Sequence, residues 1–134
     1  MKEESMLVEE IPRKEWASFL EAFGRQHEGW HATAELHNAP GCLITVENRP
    51  LRRTEVETDP RGQARITLMF DGGDSETVTS IADNAEHLRF LETDRHEHVG
   101  LEIESEKGRK LIVRFRSPTL PEMLNGVLPI REER

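Results

Sequence analysis

Apolar residues recur along this chain with two periods, and the change between them falls at Gly29. Before it, Trp16, Phe19, Leu20 and Phe23 stand at i, i+3, i+4 and i+7, one stripe of an amphipathic helix. Pro12 suits the first helical position, where a missing N–H costs nothing. Arg13, Lys14, Glu15, Ser18 and Glu21 take the opposite face, and Gly24 or Gly29 is the expected stop. Residues 1–10 read as a polar, acidic lead-in that frays.

After Gly29 the period is two. Trp30, Ala32, Ala34 and Leu36 alternate with His31, Thr33, Glu35 and His37, as in a half-buried strand. Pro40-Gly41 turns the chain, Cys42–Glu47 is the next strand, and Asn48-Arg49-Pro50 breaks it. Arg52–Thr58 and Ala64–Phe70 form a hairpin around Asp59-Pro60-Arg61-Gly62, with Val56 opposite Ile66 and Glu57 opposite Arg65. Asp71-Gly72-Gly73-Asp74 is a loop, Thr77–Ile81 a short strand and Ala82–Glu86 a turn or helical step. His87–Thr93 is a strand. His98–Ser105 and Arg109–Arg116 then flank Glu106-Lys107-Gly108, pairing Ile103 with Leu111, Leu101 with Val113 and Val99 with Phe115. Leu120–Leu128 is an apolar tail with one helical turn near Pro121.

These elements predict an α+β domain over residues 11–130, with residues 131–134 as a solvated tail. The N-terminal amphipathic helix packs on a curled antiparallel sheet or partial barrel of seven to eight short strands, and a short C-terminal helical tail closes the core. Strand–helix–strand alternation is absent, which argues against a doubly wound nucleotide fold.

The layout also resembles a family. Ile11-Pro12-Arg13-Lys14-Glu15-Trp16 opens into the helix, Thr58-Asp59-Pro60 turns a hairpin and His87-Leu88-Arg89-Phe90-Leu91 forms a strand. Gly108 precedes Ile112-Val113-Arg114-Phe115-Arg116-Ser117-Pro118. Over roughly residues 9–128 this is similar to a family of small bacterial proteins catalogued only as a domain of unknown function. The resemblance implies a small single-domain α+β protein and supplies no catalytic residues.

Charge narrows the function classes. With 18 basic and 26 acidic residues the net charge is −8, which argues against general nucleic-acid binding through Arg49, Arg52, Arg53, Arg114 and Arg116. It argues equally against anionic membrane surfaces. The acidic start lacks the apolar stretch of a signal peptide, and Cys42 is the only cysteine, so a reducing, cytoplasmic location is expected.

Strong catalytic motifs are absent, and no cofactor is implied. The six histidines are the unusual resource. His96 and His98, at i and i+2, would project from one strand face about 6–7 Å apart and are the metal-ligand candidates, with Asp94 or Glu97 in support. His87 is excluded, because pairing Thr93 with His98 sets it opposite Glu104. Glu35 and His37 share a face, close enough for a carboxylate to orient an imidazole, but no nucleophile is placed to match. Arg49, Arg52 and Arg53 form a basic patch offset by Glu55, Glu57 and Asp59. Cys42 reads as a small buried strand residue. The expected function is a non-enzymatic accessory or regulatory module presenting a sheet face or edge to a protein or small ligand, with homo-oligomerisation open. The alternative is a small-ligand-binding protein or enzyme using histidine and acidic residues in a pocket between helix and sheet.

Overall fold

The computed structural model describes residues 6–38, 41–74 and 76–119, with side chains placed as far as Arg116. Its strands are β1 (Met6–Glu10), β2 (His31–Asn38), β3 (Gly41–Thr58), β4 (Ala64–Gly73), β5 (Glu76–Thr93), β6 (His98–Ser105) and β7 (Lys110–Thr119). A 3-10 turn at Arg13–Glu15 leads into the helix α1 (Trp16–Gln26).

The α+β assignment does not hold. Among the described residues the protein is mostly antiparallel sheet with one α-helix of 11 residues, and β3 and β5 run for 18 residues each rather than being short. Three misread stretches account for the difference. The lead-in contains β1, which pairs with β5 from Met6↔Thr93 to Glu10↔Arg89. Asn48-Arg49-Pro50 does not end β3. Asn48 takes φ 52°, and the chain continues past it as strand. Ala82–Glu86 is likewise strand, with Asn84 at φ 52° beside a shift in the β4–β5 register. The expected C-terminal helical tail lies outside the described residues.

The sheet order is β1-β5-β4-β3-β2-β7-β6, and β5 also pairs with β6. Six strands therefore close into a barrel, and β1 pairs with residues 89–93 at the end of β5. Closure removes most sheet edges. The first half of β5 pairs with β4 and the second half with β6 and β1, so this long strand joins both parts.

Period-two alternation fills the interior. Ile66, Leu68 and Phe70 of β4, Leu88 of β5, Leu101 and Ile103 of β6 and Val113 of β7 are fully buried. The helix adds its stripe of Trp16, Leu20 and Phe23 to this core. Phe23 stacks on Phe115 and meets Phe90 edge-on, while Phe19 also contacts Phe90, so α1 touches β5 and β7 as well as β3. The Thr54 hydroxyl donates to the Leu20 carbonyl at 2.6 Å. Gly24 permits that approach, since a Cβ there would sit 3.1 Å from the Thr54 nitrogen.

The β6–β7 hairpin pairs Ile103 with Leu111 and Leu101 with Val113 as the alternation predicts, but Val99 falls out of register. Gly100 takes φ 153°, and a Cβ on it would lie 1.7 Å from the Val113 carbonyl oxygen. Only glycine lets the two backbones meet there.

Candidate functional site at the β2–β3 hairpin

The end of the β2–β3 hairpin overhangs the barrel. Residues 41–45 are all exposed, although they belong to a strand. On one side this stretch pairs with β2, with Glu35 opposite Ile44, Leu36 opposite Leu43 and His37 opposite Cys42. On the other side no ladder covers residues 41–50 among the described residues, because β4 pairs only with Leu51–Thr58. Leu43 on the core-side face is 61% exposed, and Ile44 on the outer face is 51% exposed.

The outer face also gathers chemistry. His37 Nε2 lies 2.9 Å from Glu35 Oε1 and 3.7 Å from Cys42 Sγ. The three ligand-type atoms all lie within 4.8 Å of one another. Arg114 Nε is 3.9 Å from the same carboxylate oxygen. Beside His37 a hollow of about 480 Å³ is lined by Asn38, Glu102 and Lys110. Cys42 is thus exposed, not buried as its strand position suggested. The cause is the overhang: neither face of β3 is covered there. Glu35 and His37 were legible as a pair from their spacing. The thiol was missed, although pairing Asn38 with Gly41 would have set His37 across from Cys42.

The other histidines are dispersed. His98 is buried and its Nδ1 lies 2.7 Å from His27 Nε2. His96 is on the turn before β6 at φ 67°, with an exposed side chain. The carboxylate of Glu92 stands between them, 3.4 Å from His96 Nδ1 and 3.9 Å from His98 Nε2. His87 faces Glu104 across the ladder and bonds Glu10 at 2.8 Å.

His27 closes the C-terminal end of α1. Its Nδ1 donates to the Phe23 carbonyl at 2.8 Å, so its Nε2 must accept from His98 Nδ1. Phe23, Trp30 and Phe115 pack around its ring with centroids 4.3–4.8 Å away. Burial pushes its pKa down to about 4, with His98 acting in the same direction and the Phe23 carbonyl opposing.

On the barrel wall Arg89 bonds Glu10, Glu102 and Glu104 at 3.0, 2.6 and 2.9 Å. Burial works against the guanidinium charge, but the three carboxylates outweigh it and raise its pKa. The bond from Arg89 correspondingly lowers the pKa of Glu104.

The basic patch is largely internally paired. Arg49 donates to the Gly72 carbonyl at 2.9 Å, and Arg53 pairs with Glu55. Between α1 and β3 lies a groove of about 460 Å³ lined by Glu21, Arg25, Arg52 and Arg53, with no histidine on it. No helix of the described residues is long and apolar enough to cross a membrane. No family model matches the chain, and neither does any curated protein or solved structure.

Proposed function

We propose that this protein is a non-enzymatic binding module that accepts an extended segment of a partner protein onto the free edge of β3 at residues 41–46. The observation that supports this reading is the unguarded character of that edge. Natural edge strands are blunted by charge, proline or cover. Residues 41–46 read Gly-Cys-Leu-Ile-Thr-Val, without a charge or a proline, and both Leu43 and Ile44 are exposed. A partner strand would gain main-chain hydrogen bonds from the edge and specificity from the two apolar side chains. The second outer strand, β1, is a poorer candidate. It ends in Glu9-Glu10, and Glu10 is engaged by His87 and Arg89. An exposed thiol beside the edge suits a reducing compartment, in keeping with a cytoplasmic location.

The test is a photo-crosslinking residue placed at position 43 in the producing cell, with position 61 on the Asp59–Gly62 turn as the control. The expected result is discrete adducts from position 43 that disappear when Ile44→Lys is added, and none from position 61. Absence of adducts at 43, or adducts indifferent to Ile44→Lys, would overturn the reading.

A further inference from the structure

We infer that Glu35, His37 and Cys42 form a binding site for a thiophilic divalent cation of the zinc class. The site goes beyond the edge-binding reading and does not depend on it.

Ligand identity comes first. A thiolate, an imidazole and a carboxylate are the three donor types that zinc takes, and two negative ligands match a 2+ charge. Geometry comes next. Bonds of about 2.3 Å to sulfur and 2.0 Å to nitrogen, at a tetrahedral angle, set those two atoms about 3.5 Å apart. Cys42 Sγ and His37 Nε2 are already 3.7 Å apart. By the same construction nitrogen and carboxylate oxygen sit about 3.3 Å apart, and His37 Nε2 to Glu35 Oε1 is 2.9 Å. The third pair, Cys42 Sγ and the Glu35 carboxylate, lies within 4.8 Å against about 3.5 Å by the same construction, so side-chain shifts of up to about an ångström convert the hydrogen-bonded arrangement into a ligand set.

The backbone holds this arrangement. His37 and Cys42 are directly paired across the hairpin, and Glu35 is two residues before His37 on the same face. The opposite strand, β7, fixes the other edge of β2, with Glu35 opposite Ile112 and His37 opposite Lys110. The three protein ligands leave a fourth position open, and the adjacent hollow has room for water or an incoming ligand. Arg114 is near Glu35 but its side chain is 45% exposed, so it can turn to solvent when the cation arrives. On binding, the Cys42 thiol proton is released to solvent, and the imidazole proton that Nε2 donates to the Glu35 carboxylate leaves that atom for Nδ1 by exchange with solvent. Both Nε2 and Sγ then donate lone pairs to the ion.

The full chain, kept reduced, is titrated with Co2+ alone and then with Zn2+. One equivalent of Co2+ is expected to produce a thiolate-to-cobalt charge-transfer band, which Zn2+ then removes. Saturating Zn2+ is expected to slow alkylation of Cys42 about tenfold or more. Cys42→Ser and His37→Gln should abolish the band and Glu35→Gln weaken binding about tenfold, while His96→Ala changes nothing. Cys42 and His37 lie at the exposed hairpin end, and circular dichroism confirms that each variant is folded. Absence of the band in the native chain overturns the inference. So does a band that survives Cys42→Ser, or cobalt binding without a thiolate band that is lost in His96→Ala, which would place the cation at the β5–β6 turn instead.

Discussion

Acidification from pH 7 to pH 4 should destabilise this protein chiefly through His27. The residue is 1% exposed, with its ring among Phe23, Trp30 and Phe115. One ring nitrogen is committed as a donor to the Phe23 carbonyl and the other as an acceptor from His98. A proton on Nε2 would set donor against donor. The folded pKa is about 4 against an ordinary 6.5. Between those values the unfolded chain binds a proton that the folded chain does not. Stability therefore falls as pH drops through that window, and is fully present only above it. Each pKa unit is worth about 1.36 kcal/mol, so the loss is about 3 kcal/mol. That is a large share of the 5–15 kcal/mol typical of a domain. Urea unfolding at constant ionic strength, in steps from pH 7 to pH 4.5, should show the midpoint falling by about 1–2 M. His27→Asn keeps a donor for the Phe23 carbonyl and removes the titrating ring. It should start less stable at pH 7 and show a much flatter profile. A native midpoint that stays flat to pH 4.5, or a variant as steep as the native chain, would rule out His27 as the source of the acid sensitivity.

Three further perturbations test the fold and its ion pairs. Gly100→Ala forces a Cβ onto the Val113 carbonyl oxygen and should cost about 3 kcal/mol or more, read as a lowered urea midpoint. Arg89→Met strips three carboxylates of their shared partner and should cost about 1–2 kcal/mol after allowance for partial exposure. Because Arg89 holds the Glu104 pKa down, this variant should also lose part of the native chain's acid sensitivity below pH 4.5. Phe23→Ala removes the ring that joins α1 to Phe90 and Phe115 and should cost about 3–5 kcal/mol by thermal melting.

Local pairing was legible in the sequence where one turn fixed the register. The Val56↔Ile66 and Glu57↔Arg65 pairs, and the Ile103↔Leu111 and Leu101↔Val113 pairs, follow from alternation and turn residues. Bulges defeated the same reasoning. Asn48, Asn84 and Gly100 redirect the chain without ending a strand; the asparagines look like turns in one dimension, and Gly100, inside a strand as expected, gives no sign of the register shift beside it. β1 was hidden because its five residues are all exposed, so it shows no buried face to read. The site divides in the same way. Glu35 and His37 share a strand and announce themselves by spacing. Cys42 enters only through the hairpin register, and its exposure only through the overhang. The His27–His98 pair, 71 residues apart in sequence, has no local signature.

Exposure at the β3 edge is what the proposed function stands on, and amide hydrogen exchange on the partner complex recovered through position 43 tests it most directly. In the protein alone, residues 42–46 should exchange faster than the barrel strands. In the complex they should gain protection comparable to β4, while Met6–Glu10 remains unchanged. Protection that appears on β1 or in the α1–β3 groove, with residues 42–46 still exchanging as in the free protein, would contradict it.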